Sequence, residues 1–273
     1  MMIDGPMLVF GGPYSNLQAT RAVLAEAARR GIPPSRILCT GDVVAYGADA
    51  AACCDLVMAS GIAVLAGNCE EQLAEAAEDC GCGFEEGTAC DLLSRSWYAH
   101  ANAEVTPAQR DWMRGLPKRI VLALPDGRRL AVLHGGATET SRFLFASAPG
   151  DVLAGEIAAT GCDGVIAGHC GLPFAHRIGD GLWLNAGAVG MPADDGTPRV
   201  WFSVLTPAAE GLRVEILPLD YDHAGAAAAM RAARLPEGYA AALAIGLWPS
   251  CDVLPPAERA RRGQPLAPVA LMW

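Results

Sequence analysis

"MLVFGGPYSNLQA", Met7 to Ala19, passes from four apolar residues through a glycine-led loop into an Ala- and Leu-rich stretch. An unbroken apolar run of that length reads as a strand buried on both faces, and the glycines let the chain turn tightly at its end. Helical signals follow over residues 16–30: Ser15 or Asn16 as N-cap, Leu17, Val23 and Leu24 on one face, and Gly31 as the stop before Pro33-Pro34. A strand feeding a helix through a polar loop is the building unit of α/β folds, whose ligands bind beyond the carboxyl ends of the strands. Yet this loop carries no charged side chain.

The apolar run ending in glycine recurs in "RILCTGD" (36–42), "IAVLAGN" (62–68), "RLAVLHGG" (129–136), "GVIAGHC" (164–170) and "LWLNAG" (182–187). A second helix is predicted in "TPAQRDWMRGLP" (106–117), with Thr106 as cap, Pro107 at the first helical position, Gln109 completing a capping box, and Gly115 and Pro117 closing it. Hairpins are predicted around Asp126-Gly127 and Asp180-Gly181, so the sheets must be mixed. The first half alternates strand and helix and the second is richer in strands, which suggests two sheets packed together with helices outside. "LRVEILPL" (212–219) reads as a last strand and 223–234 as an Ala-rich helix. We expect one domain over residues 1–250 and an extended, proline-punctuated tail over 251–273.

Composition narrows the functional classes. Of 273 residues, 20 are Lys or Arg and 30 Asp or Glu, a formal charge of −10 that repels a phosphate backbone, and no basic run interrupts it; nucleic acid is not an expected partner. No apolar run approaches the roughly 18 residues of a membrane span, and the start lacks the basic and apolar regions of a signal peptide, so a soluble cytoplasmic protein is expected. The ten cysteines show no disulfide framework and no CxxC, which argues against thiol-based redox chemistry. Cys80 and Cys82, with Cys90 following, are either a thiolate metal site or a loop cluster of thiols.

The polar residues at the strand ends are Asp42, Asn68, His134 and His169. One carboxylate, one amide oxygen and two imidazoles form an O/N ligand set suited to one divalent transition metal: Mn, Fe, Co, Ni or Zn. Each histidine alone would be an ordinary core or loop residue; four donors at equivalent strand ends make a common site.

With these residues in order, the sequence resembles the calcineurin-like metallophosphoesterases, in particular their small bacterial phosphodiesterase-like branch. The family order of a DxHxN loop, GD, GNH[DE], His-Gly, GHTH and Asn-x-Gly is met by "GGPYSN", Gly41-Asp42, "GNCE" (67–70), "HGG" (134–136), "GHCG" (168–171) and "NAGAVGMP" from Asn185, over about residues 7–205. The resemblance implies a four-layer α/β/β/α sandwich of two mixed sheets with a metal cleft at the strand ends. It also implies that three ligands of the family's first metal are lost, with Gly12 and Tyr14 at the Asp and His of the loop and Gly171 at the second His of GHTH. The second-metal set maps onto Asp42, Asn68, His134 and His169.

The expected activity is hydrolysis of a small phosphomonoester or phosphodiester by metal-bound hydroxide at a mononuclear site. Cys69 takes the position of the family's leaving-group histidine, Glu70 keeps the acidic position, and His169 bears on the nucleophile. Tyr14 either offers its phenol to a ferric ion or to phosphate, or packs over the emptied position. Cys170 is either a soft ligand beside His169 or a core residue. Arg142 either meets phosphate bidentately or is a surface arginine, and Asn16 stands at the loop's terminal asparagine. The alternative is a weak or inactive relative that binds a phosphorylated metabolite or a partner protein.

Overall fold

The computed structural model describes residues 1–273. Eleven strands make two sheets. They are β1 (Met7–Phe10), β2 (Ile37–Cys39), β3 (Ala63–Val64), β4 (Ile120–Ala123), β5 (Arg129–Val132), β6 (Gly164–Ala167), β7 (Phe174–Ile178), β8 (Gly181–Asn185), β9 (Val200–Ala208), β10 (Gly211–Leu219) and β11 (Val269–Met272). The helices are α1 (Leu17–Arg29), α2 (Ala50–Ser60), α3 (Asn68–Ala74), α4 (Ala89–Glu104), α5 (Pro107–Arg114), α6 (Gly150–Thr160), α7 (His223–Ala232), α8 (Glu237–Ile245) and α9 (Pro256–Arg259). None is long and apolar enough to cross a membrane.

One sheet has the order β11-β10-β9-β1-β2-β3 and the other β4-β5-β6-β8-β7. Both are mixed: β1, β2 and β3 run parallel while β9 pairs antiparallel with β1, and β5, β6 and β8 run parallel between antiparallel neighbours β4 and β7. The two expected hairpins are β4–β5 and β7–β8.

Successive side chains of a strand point to opposite faces, and here both faces are buried. Met7 and Val9 of β1, Leu130 and Val132 of β5, and Leu182 and Leu184 of β8 fill the space between the sheets. Their neighbours Leu8 and Phe10, or Ala131 and Trp183, face the outer helices instead. This alternation makes the four α/β/β/α layers, and it explains why the strands read as continuous apolar runs.

Two parts of the sheets depart from the sequence reading. β9, "VWFSVLTPA", joins β10 as a nine-residue hairpin that carries the first sheet outward. The tail contains α9, and its last residues pair with β10 as the edge strand β11, so it is part of the sheet rather than only an extended tail. Trp273 is buried against the inter-sheet core, which ties this end down.

Candidate metal centre

Parallel strands of both sheets end on one rim of the sandwich, and each is followed by a polar residue. β2 leads to Asp42, β3 to Asn68 at the first position of α3, β5 to His134, and β6 to His169. Asp42 and His169 take φ of 54° and 58°, the left-handed region that non-glycine residues seldom occupy and that recurs at functional sites. Gly41 supplies the close approach: a Cβ there would stand 2.6 Å from the Gly67 nitrogen and 2.9 Å from His134 Nδ1.

The four predicted donors converge. Around His134 Nε2 lie Asn68 Oδ1 at 3.1 Å, Asp42 Oδ2 at 3.2 Å and His169 Nδ1 at 3.2 Å. His134 Nδ1 faces the Thr40 carbonyl at 2.7 Å, which can only accept, so that nitrogen carries the proton. In neutral His134, Nε2 is then a lone pair turned toward two oxygens and a third ring nitrogen. Lone pairs brought this close repel unless a cation sits among them. Ligands roughly 2.1 Å from one metal stand about 3 Å apart along an edge of its coordination shell, the spacing His134 Nε2 keeps from the other three donors, and the ligand atoms of Asp42, His134 and His169 all lie within 4.8 Å of one another. The donor set therefore fits a divalent transition metal.

Burial works against a charge on His134, but the attraction and hydrogen bond of Asp42 outweigh it and push its pKa up to about 9. Asp42 is likewise opposed by burial and held below the usual carboxylate range by His134. Burial, and then repulsion from His134, press His169 down to about 3, so it stays a neutral donor. These directions describe a pocket in which positive charge belongs at the centre.

The surrounding residues hold this set in place, and several take tasks other than those expected. Glu70 is fully buried; its carboxylate accepts from the backbone N–H groups of Asp42 (2.7 Å), Val43 (2.8 Å) and Gly67 (2.9 Å). It staples the Asp42 loop to the start of α3. Burial and the nearby Asp42 charge push it up to about 7. Cys69 is buried against Asp42 and Asn68, away from the open cleft, and burial followed by the Asp42 charge keeps its thiol protonated. Asn16 spends its amide within the fold: Oδ1 caps α1 by accepting from Ala19 N–H, and Nδ2 donates to the Gly190 carbonyl and the Tyr221 hydroxyl. Arg142 is paired with Glu156 of α6 and does not line the cleft.

Other positioning groups escaped the sequence reading. Asn185, at the end of β8, donates to the Gly168 carbonyl at 2.6 Å and Cys170 Sγ at 3.1 Å, and so fixes the His169 loop. It obeys the same strand-end rule as the ligands. Phe143 lies against His169 with ring centroids 4.3 Å apart. Cys80 and Cys82 are joined as a disulfide, which leaves them no thiolate for a metal, and Asn68 Nδ2 donates to the Cys80 carbonyl at 2.9 Å, turning Oδ1 toward His134. Cys170 is buried and stays a neutral thiol, raised to about 12 by burial.

The loop that opened the sequence reading has a clear arrangement. The Tyr14 ring lies over Gly12, where any Cβ would collide with it. A Cβ on Gly171 would stand 3.8 Å from the Tyr14 hydroxyl and 3.5 Å from Trp248. Tyr14 thus covers both glycines, and Tyr46 supports it edge-on at 4.9 Å.

The calcineurin-like phosphoesterase superfamily domain matches residues 14–206, a span that takes in all four converging donors. The chain belongs to this superfamily. Its members bind divalent metals, and Asp42, His134 and His169 form the matching ligand group. None of the curated proteins matches the chain. The metallophosphoesterase from Sphaerobacter thermophilus is 24% identical, with a TM-score of 0.69 over 89% of this chain and 99% of its own. A hypothetical protein from Pyrococcus horikoshii is 16% identical, with a TM-score of 0.73 over 91% of this chain and 100% of its own. At these identities the likeness is one of fold.

Proposed function

We propose that this calcineurin-like phosphoesterase hydrolyses the phosphoester bond of a small substrate with one divalent metal held by Asp42, Asn68, His134 and His169. The observation that carries this reading is the convergence of three electron-pair donors on His134 Nε2, whose partner nitrogen is committed to the Thr40 carbonyl. When bound, the metal polarises a phosphoryl oxygen and acidifies a water.

The chain's own residues do the rest. Thr40 orients His134, Glu70 and Asn185 fix the loops that bear Asp42 and His169, and Asn68 is turned by the Cys80 carbonyl. Such supporting contacts set ligand orientation and are worth about 10–100-fold in metal affinity. Tyr14 lines the cleft beside His169 with its phenol well above its ordinary pKa, raised by burial and then by the Asp42 charge. Its O–H therefore stays protonated and can donate a hydrogen bond to a phosphoryl oxygen. One metal and one hydrogen-bond donor stabilise the developing charge less than two metals, so a slow or selective hydrolase is expected.

Elemental analysis of protein loaded with Mn²⁺ or Zn²⁺, followed by hydrolysis of bis(p-nitrophenyl) phosphate, tests the reading. One metal per chain and metal-dependent release of nitrophenol are expected. No metal, or two, would overturn it; one metal without turnover of any phosphoester would leave a binding protein.

A further inference from the structure

The loss of first-metal ligands leaves an aromatic cleft, and its chemistry narrows the substrate. The cleft opens to solvent and ends on His169 and Gly171. Its walls are Tyr46, Phe84, Phe143, Tyr239 and Trp248, together with Tyr14. No Lys, Arg, Asp or Glu lines it. Trp248 is fixed by its indole N–H to the Pro192 carbonyl at 2.6 Å, so its ring presents carbon to the cleft. Gly171, where the family resemblance places a ligand histidine, gives the cleft its passage between Trp248 and the Tyr14 hydroxyl.

Resting on the metal-site reading above, we infer that the cleft is a subsite for a flat aromatic ester group, and that the substrate is a monoanionic aryl-bearing phosphodiester rather than a dianionic phosphomonoester. Two independent features carry this. The walls offer rings and aliphatic carbon, on which an apolar ring is favoured over water and over a small alkyl group. The charge supply is short: Arg142, whose stem packs against Gly136 of the His134 loop, is committed to Glu156, so a second phosphoryl charge has no cationic side chain in the cleft to meet it. A diester presents one charge to the metal and points its second ester group along the rings.

Calorimetric titration of the Mn²⁺-loaded protein with diphenyl phosphate, dimethyl phosphate and phenyl phosphate tests this without needing turnover. Diphenyl phosphate is expected to bind at least about thirtyfold more tightly than dimethyl phosphate, the order of gain for burying one phenyl ring. It is also expected to bind more tightly than phenyl phosphate. Phe84→Ala should reduce the phenyl-to-methyl ratio to within about threefold while metal content stays at the wild-type value, and Phe84→Trp should restore the ratio. The methyl ester of thymidine 5′-monophosphate distinguishes the source of the ring: affinity equal to diphenyl phosphate assigns a nucleobase, and affinity equal to dimethyl phosphate assigns a plain aryl group. Equal affinities for the phenyl and methyl diesters, or tighter binding of phenyl phosphate, would overturn the subsite. The metal content and the hydrolysis assay would then still stand on their own, so the two readings fail separately.

Discussion

The donor cluster around His134 and the covered loop at Gly12 lie on the same rim of the sandwich and differ in what fills them. In the first, four side chains reach inward and their lone pairs face one another at 3.1–3.2 Å. In the second, two positions are glycine and an aromatic ring lies across them. The contrast is between a cluster of electron-pair donors and an aromatic wall on one strand-end rim. Both regions use the left-handed backbone, with φ of 51° at Tyr14 and 54° at Asp42. The difference is one of side-chain chemistry.

The most severe way to break the comparison is to remove a donor from the filled half. Asp42→Ala or His169→Ala should lower metal affinity by more than about 100-fold, beyond the effect of losing a supporting contact. Isothermal titration with Mn²⁺ checks this, with circular dichroism to show that the fold survives. Wild-type affinity in both variants would remove the site.

Restoring the emptied half should have a smaller effect. Gly12→Asp, Tyr14→His and Gly171→His together should bind a second metal and speed diester hydrolysis at least about tenfold, a barrier change of only about 1.4 kcal/mol. The single changes should not add up to this. Gly12→Asp alone meets the Tyr14 ring and should cost about 1–3 kcal/mol in stability through overpacking. Gly171→His must accept φ of 73°, a strained angle for any side chain. Metal stoichiometry and urea melts of the three singles and the triple decide it.

How much of this was legible in the sequence depends on what each residue's environment demanded. The strands with two buried faces were legible because both faces require apolar side chains, and the donors because each follows such a strand directly. The capping box on α5 and the Asn16 cap were legible because capping chemistry is local. The partners of Glu70 were not legible because its position in the motif is local while the Asp42 and Val43 N–H groups come from another loop. Arg142 left two readings open for the same reason: Glu156 reaches it from α6, and nothing near Arg142 in the chain announces it. β11 was missed because four edge residues after a proline-rich stretch have no periodic signal until β10 is beside them. Tyr14 left two readings open because only three-dimensional distance shows its ring over Gly12.

Protonation sharpens the comparison by a graded amount. In the metal-free protein His134 has a folded pKa raised from 6.5 to about 9, so its contribution to stability is fully present below about pH 6.5 and is lost as pH rises toward 9. Metal must displace that proton. Metal affinity should therefore rise about tenfold per pH unit between 6.5 and 9, then level off. Thermal melts should show different slopes: metal-free protein losing stability across this window, and metal-saturated protein staying nearly flat because neither its folded nor its unfolded histidine holds a proton there. A metal-saturated curve that falls as steeply as the metal-free one would mean that no proton leaves His134 when metal binds.

The smallest effect is expected at Cys69, which the sequence pattern places at the leaving-group position. Its thiol is buried against Asp42 and Asn68, outside the cleft, and stays neutral across the ordinary pH range. A group that substrate does not reach contributes through packing and through its contact with a ligand, not by proton transfer. Cys69→Ala should then change diester hydrolysis by less than about threefold and leave the shape of the pH profile as it is, since proton donation by a positioned group is worth about 10²–10⁴-fold. Cys69→His should lower metal content, because an imidazole in this buried space crowds Asn68. A hundredfold loss in Cys69→Ala, accompanied by disappearance of the alkaline limb of the profile, would return this residue to the chemistry and show that the covered loop opens when substrate binds.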